Sequence, residues 1–174
     1  MFKVQGEAGS RMTGFGALSA VLLGIVSVAS PALMASDDNG TPTLRGIKAM
    51  SVVVENINPD AVRDGLTADQ LKTDVELRLR RVGIKVSESA VPYLYVRVTV
   101  VRGAVNQSQY AYSCRVVFEQ PVTVKANGVL TLVPTWSTGN IALVGSQRMS
   151  REVRDDVGDQ VDEFSNAFLS VNPK

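Results

Sequence analysis

Residues 93–102 read Tyr93-Leu94-Tyr95-Val96-Arg97-Val98-Thr99-Val100-Val101-Arg102, and residues 110–119 read Tyr110-Ala111-Tyr112-Ser113-Cys114-Arg115-Val116-Val117-Phe118-Glu119. Both alternate with period two, the period of a strand whose two faces meet different surroundings. In the first, Leu94, Val96, Val98 and Val100 share one face and Tyr93, Tyr95, Arg97 and Thr99 the other. In the second, Tyr110, Tyr112, Cys114, Val116 and Phe118 lie opposite Ala111, Ser113, Arg115, Val117 and Glu119. A polar turn from Gly103 to Gln109 joins them. One apolar and one mixed face is the pattern of an antiparallel sheet covered on a single side.

Downstream, Pro121 breaks the alternation, Val122–Lys125 resumes it, and Asn127-Gly128 between VTVKA and VLTLV is a two-residue hairpin signal. Pro134 limits the return strand, which is expected to restart near Thr135-Trp136-Ser137 and run, kinked at Gly139, to Val144. After Gly145 a helix is predicted from about Ser150. It places Val153, Val157, Val161, Phe164, Phe168 and Val171 at steps of three and four. Gly158 weakens that helix by about 1 kcal/mol relative to Ala, so its stability has to come from packing.

Upstream lies the clearest local grammar. Thr67 and Gln70 form a capping box, Leu66 and Leu71 a hydrophobic staple, and Leu71, Val75, Leu79 and Val82 one apolar stripe. Arg78, Arg80 and Arg81 crowd the last turn, where the helix dipole favours cations, and Gly83 ends it. Ile84–Val86 is a candidate short strand, Ala49–Val54 a β-branched one, and Asn58-Pro59-Asp60 a turn. The order strand, helix, short strand, long meander, helix predicts an α+β two-layer sandwich, a mostly antiparallel sheet with two helices on one face.

The first 36 of the 174 residues differ in kind. Lys3 and Arg11 precede an apolar run from Gly14 to Val28, followed by Ser30-Pro31-Ala32-Leu33-Met34-Ala35-Ser36. Basic start, short apolar run and small residues at the end are the layout of a secretory signal peptide. The run is shorter than the roughly 20 residues of a membrane-spanning helix. Residues 1–36 are therefore read as a cleaved signal (with Met12 an alternative start), 37–46 as a flexible lead-in, and 47–174 as a single domain. No Cys stands directly after the apolar run to carry a lipid. With residues 1–36 set aside, and Lys3, Glu7 and Arg11 among them, the remaining 138 residues carry 16 basic and 16 acidic side chains. The expected location is periplasmic or extracellular, with no stable membrane span after cleavage.

Composition also narrows the chemistry. With no His, the Ser-His-Asp and Cys-His arrangements are excluded, and the lone Cys114 falls on the core face. Zero net charge on the mature chain argues against nucleic acid as a partner. Asp155, Asp156, Asp159, Asp162 and Glu163 interleave with Arg151 and Arg154 on a helix, which lacks the loop that wraps a calcium ion. No phosphate-cradling glycine loop appears. The chain is accordingly expected to be no enzyme and to take no metal or cofactor. The remaining candidates for a binding surface are Tyr93, Tyr95, Arg97, Arg115 and Trp136, if all five stand on the uncovered face of the sheet.

Leu79-Arg80-Arg81-Val82-Gly83-Ile84-Lys85-Val86, the Tyr93-Leu94-Tyr95-Val96 strand, the Tyr-rich hairpin, the Thr135-Trp136-Ser137 return strand and the long closing helix together resemble small bacterial envelope proteins. The layout is similar to the β-α-β-β-β-α order of the lipopolysaccharide-assembly lipoprotein family and of the N-terminal domain of the translocation protein TolB, over about Met50 to Val171. The resemblance carries no site residues. Export, neutral charge and the missing catalytic groups lead to the expectation of an exported, non-enzymatic periplasmic accessory domain that binds another envelope component; the alternative is a secreted small-ligand or glycan-binding module that uses the aromatic sheet face.

Overall fold

A computed structural model of the protein describes residues 39–104, 106 and 108–173; the expected signal, residues 1–36, lies outside them. The elements are β1 (Ser51–Val54), α1 (Pro59–Arg63), α2 (Ala68–Arg81), β2 (Tyr93–Arg102), β3 (Gln109–Thr123), β4 (Leu130–Gly145) and α3 (Met149–Val171). The four strands form one sheet in the order β1-β2-β3-β4. β1 runs parallel to β2 after a crossover through α2, and the other pairings are antiparallel. This is the α+β sandwich that the alternation predicts. No helix among the described residues is long and apolar enough to cross a membrane.

The Thr67 half of the capping box forms as read. The Thr67 hydroxyl accepts a hydrogen bond from the Gln70 amide at 3.3 Å, and Leu66 and Leu71 are both fully buried. Thr67→Ala leaves that amide without its acceptor and is expected to destabilise the fold by about 1 kcal/mol, measurable as a lower urea midpoint with unchanged slope. The even residues of β2 and β3 from Leu94 to Val100 and from Tyr110 to Phe118 are buried together with Leu71, Val75 and Leu79 of α2 and Val153, Val157, Val161, Phe164 and Phe168 of α3. Phe164 sits at the centre, its ring 5.4 Å from Phe118, 5.1 Å from Trp136 and 6.3 Å from Phe168.

Several expectations are corrected. Ile84–Val86 makes only a single parallel bridge, Met50 to Val86. Asn58-Pro59-Asp60 opens α1 with the Asn58 side chain capping the Asp60 amide, because Pro at the first helical position sacrifices no bond. Pro121 does not break β3. Beyond the Tyr93–Glu119 pair β2 has ended, so β3 and β4 continue as a two-stranded ribbon and a residue without an N–H is tolerated on the unpaired side.

The end of the supposed flexible lead-in is packed. Thr41–Leu44 forms a 3-10 turn whose Leu44 is fully buried, and Asn172 beyond α3 bonds the Gly46 amide at 2.7 Å and the Leu44 carbonyl at 3.0 Å. Gly40, at φ 80°, brings its backbone so close to the Thr135 carbonyl that a Cβ would lie 1.7 Å from it. Gln120 closes the clamp, donating to the Thr43 carbonyl and the Thr135 hydroxyl.

Gly158 also gains a reason. The Arg78 guanidinium crosses directly over it to reach Asp162 at 2.5 Å, and a Cβ would lie 2.4 Å from the guanidinium. Without a Cβ at Gly158, the Arg78 guanidinium can lie flat on α3 as it crosses to Asp162.

Candidate functional site

The face of the sheet away from the helices is ordered in rows by the strand registers. Val101, Ala111 and Leu143 form one row; Thr99, Ser113 and Ile141 the next; then Arg97, Arg115 and Gly139; then Val53, Tyr95, Val117 and Ser137. Tyr93, Glu119 and Pro134 close the series. The face is thus apolar at one end, cationic across its middle and aromatic at the other. Ile141 is 82% and Leu143 78% exposed, and Val101 and Val53 are exposed as well.

The structure brings four of the five candidate residues, Tyr93, Tyr95, Arg97 and Arg115, onto this face. It excludes Trp136, which is buried on the opposite face edge-on to Phe164. The reason is a bulge. The register of β3 against β4 shifts between Phe118 and Glu119, so Thr135 is the extra residue and Trp136 faces Phe118 across the core side. A Pro followed by a β-branched residue signals an irregularity in the sequence, but not which way the next side chain turns.

Tyr95, Arg97, Arg115, Val117, Glu119 and Pro134 line a shallow hollow of about 200 Å³. Arg97 donates from Nε to Glu55 at 2.6 Å and lies 5.8 Å from the centre of the Tyr95 ring. The bond to Glu55 pushes its pKa above the ordinary value. Arg115 stands directly opposite Arg97 on the neighbouring strand, and among the described residues it has no carboxylate within ion-pair distance. Like charges facing each other across strands destabilise a sheet. Glu55, which tempers one of them, follows β1 and carries no signal in the alternation that identified the others.

Two further clusters lie elsewhere. Between α2 and α3, Arg78 and Arg154 are engaged by Asp162 and Asp74, at 2.5 and 2.7 Å, beside a groove of about 290 Å³ that Arg81 and Arg151 also line. At the β4 side of α3, Asp156 accepts from Tyr112 at 2.5 Å and from Asn140 at 2.8 Å, Glu163 accepts from Thr138 at 2.8 Å, and Gln160 donates to Asn140 at 3.1 Å. The sequence reading treats these acids as a solvated helix face, whereas two of them tie α3 to β4. Burial, reinforced by Asp156, raises the Tyr112 pKa well above the usual phenol value and pushes the Cys114 thiol up to about 12. Cys114 is buried and free, and a thiol held protonated is a poor nucleophile. Among the described residues no group of three acidic or Cys side chains is placed to hold a metal ion.

No family model matches the chain, and no curated protein does either. Among solved structures, it is similar to a minor lipoprotein of Acinetobacter baumannii, at 14% identity over 72% of this chain and 92% of that one, with a TM-score of 0.39. A dodecameric PelC from Paraburkholderia phytofirmans matches at 15% identity over 71% of this chain and 84% of that one, with a TM-score of 0.37.

Proposed function

We propose that the protein is an exported, non-enzymatic domain of the bacterial cell envelope that binds another envelope component on the uncovered face of its sheet. Export rests on the basic, apolar and small-residue order of residues 1–36. The absence of His from the sequence supports a role in binding over catalysis. The observation that carries the reading is Arg115. A guanidinium held opposite Arg97, with no carboxylate among the described residues at ion-pair distance, is a standing electrostatic cost that an acidic group of a partner relieves, and the exposed apolar row beyond it supplies contact area. The partner is therefore one that presents a carboxylate or phosphate beside apolar surface.

Tagged protein is expected to retain such a partner from envelope extracts, and Arg115→Glu to lose it. The same substitution removes the like-charge pair and should leave stability unchanged or raise it by about 0.2–1 kcal/mol. Retention of the partner by the Glu variant, or no partner with the wild type, sinks the reading. A small-ligand or glycan module is less well supported, because Trp136, part of the aromatic surface that reading relies on, is buried.

A further inference from the structure

β4 is the last strand of the sheet, so half of its backbone N–H and C=O groups point away from β3, toward no other strand among the described residues. Long free edges are usually blunted by charged side chains, prolines or bulges. Over its sixteen residues β4 has no Asp, Glu, Lys or Arg. Pro134, the bulge and the Gly40–Thr43 turn against Thr135 protect only the end near the ribbon, and from Ser137 to Val144 no strand among the described residues pairs with the edge.

Beside this stretch α3 lays a row of acids. Asp156 and Glu163 are bonded to Asn140 and Thr138 of β4, and Asp159 lies between them on the same side of the helix, three residues after one and four before the other. Among the described residues none of the three has a cation within ion-pair distance, although Arg78, Arg148, Arg151 and Arg154 on α2, α3 and the turn before it are all paired. Gln160, 6% exposed and bonded to Asn140, has a buried Oε1 with no donor. On the uncovered face the same edge carries Ile141, Leu143 and the gap at Gly139, which opens a hollow of about 590 Å³ between Ser113, Arg115, Ser137 and Ile141.

We propose that the free edge of β4 takes up an extended segment of a partner protein in which basic and apolar residues alternate. The segment adds a fifth strand. Its backbone pairs with residues 137–144, its Lys or Arg side chains turn toward Asp156, Asp159 and Glu163, and its apolar side chains turn to the other face against Ile141, Leu143 and the Gly139 gap. Strand addition of this kind draws affinity from main-chain bonds and selectivity from alternate side chains. A second copy of this chain is disfavoured, because β4 pairing with itself would bring two acidic rows side by side. The segment docks on the edge, so it does not depend on the anion-binding role given to Arg115.

The test uses fluorescently labelled octapeptides of alternating Lys and Val, with alternating Glu and Val as the charge-reversed control. A third peptide repeats the Lys-Val sequence with every second amide methylated. The full chain is expected to bind the Lys-Val peptide, more weakly as salt is raised, and to bind the other two at least tenfold more weakly. Asp159→Lys, at an exposed side chain with no partner, should weaken Lys-Val binding at least tenfold, while Arg115→Glu should not weaken it. Equal binding of the methylated peptide would show charge attraction without strand pairing and overturn the proposal. So would failure of the wild type to bind, or a wild-type dimer in sedimentation that excludes the peptide.

Discussion

Phe164→Ala is expected to lower the unfolding free energy by about 3–5 kcal/mol, a large share of the roughly 5–15 kcal/mol available to a domain of this kind. Phe164 is fully buried and its ring touches three others, Phe118 from β3, Trp136 from β4 and Phe168 one turn along α3. Truncation removes the ring and leaves a void whose walls belong to both layers, so neither the sheet nor the helix can close it alone. Trp136 is the only Trp in the chain and reports on the site directly. The measurement is urea unfolding followed by its fluorescence and by far-ultraviolet circular dichroism. A loss below about 1 kcal/mol would show that the two layers are not held together at this point.

The second large effect is alkaline unfolding. Tyr110, Tyr112 and Cys114 lie on one face of β3, and in each burial is the main cause of a raised pKa, with Asp64 reinforcing it at Tyr110 and Asp156 at the other two. A group whose pKa is higher in the folded than in the unfolded state binds its proton more tightly when folded. Its contribution is complete below the unfolded pKa and is lost as pH rises toward the folded value. For Cys114 that window opens near 9 and closes near 12, and the two tyrosines join it above about 10. Each group whose window is open removes about 1.4 kcal/mol per pH unit. Stability should be level through neutral pH and then fall steeply above about pH 9. Cys114→Ala should delay the onset toward 10, read as the urea midpoint at each pH. A flat profile to pH 11 would refute the burial of these three groups.

The fold was legible in residues 93–119 because period two and a one-sided apolar pattern leave little choice of architecture, and Thr67 with its neighbours announced the first residue of α2. Alternation counts positions, however, and a bulge inserts one. For that reason alternation alone puts Trp136 on the uncovered face, whereas the bulge turns it to the core; Tyr95, Arg97 and Arg115 precede the bulge. The uncovered edge was not legible at all. Ile141-Ala142-Leu143-Val144 is apolar at every position, so it has no period to say which side chains face water. The acids of α3 read as a solvated face because helical spacing shows that they share a side and not that β4 lies beside it.

The ribbon beyond Glu119 has its own consequence. Its two strands pair only with each other as far as the Asn127-Gly128 turn, and Val124, Val129, Leu130 and Leu132 along it are exposed. A two-stranded hairpin is marginal by itself, and local opening concentrates where buried contacts are few. The Thr43–Gln120–Thr135 clamp at its base therefore divides amide protons that exchange through local fraying from those that exchange only when the whole domain unfolds.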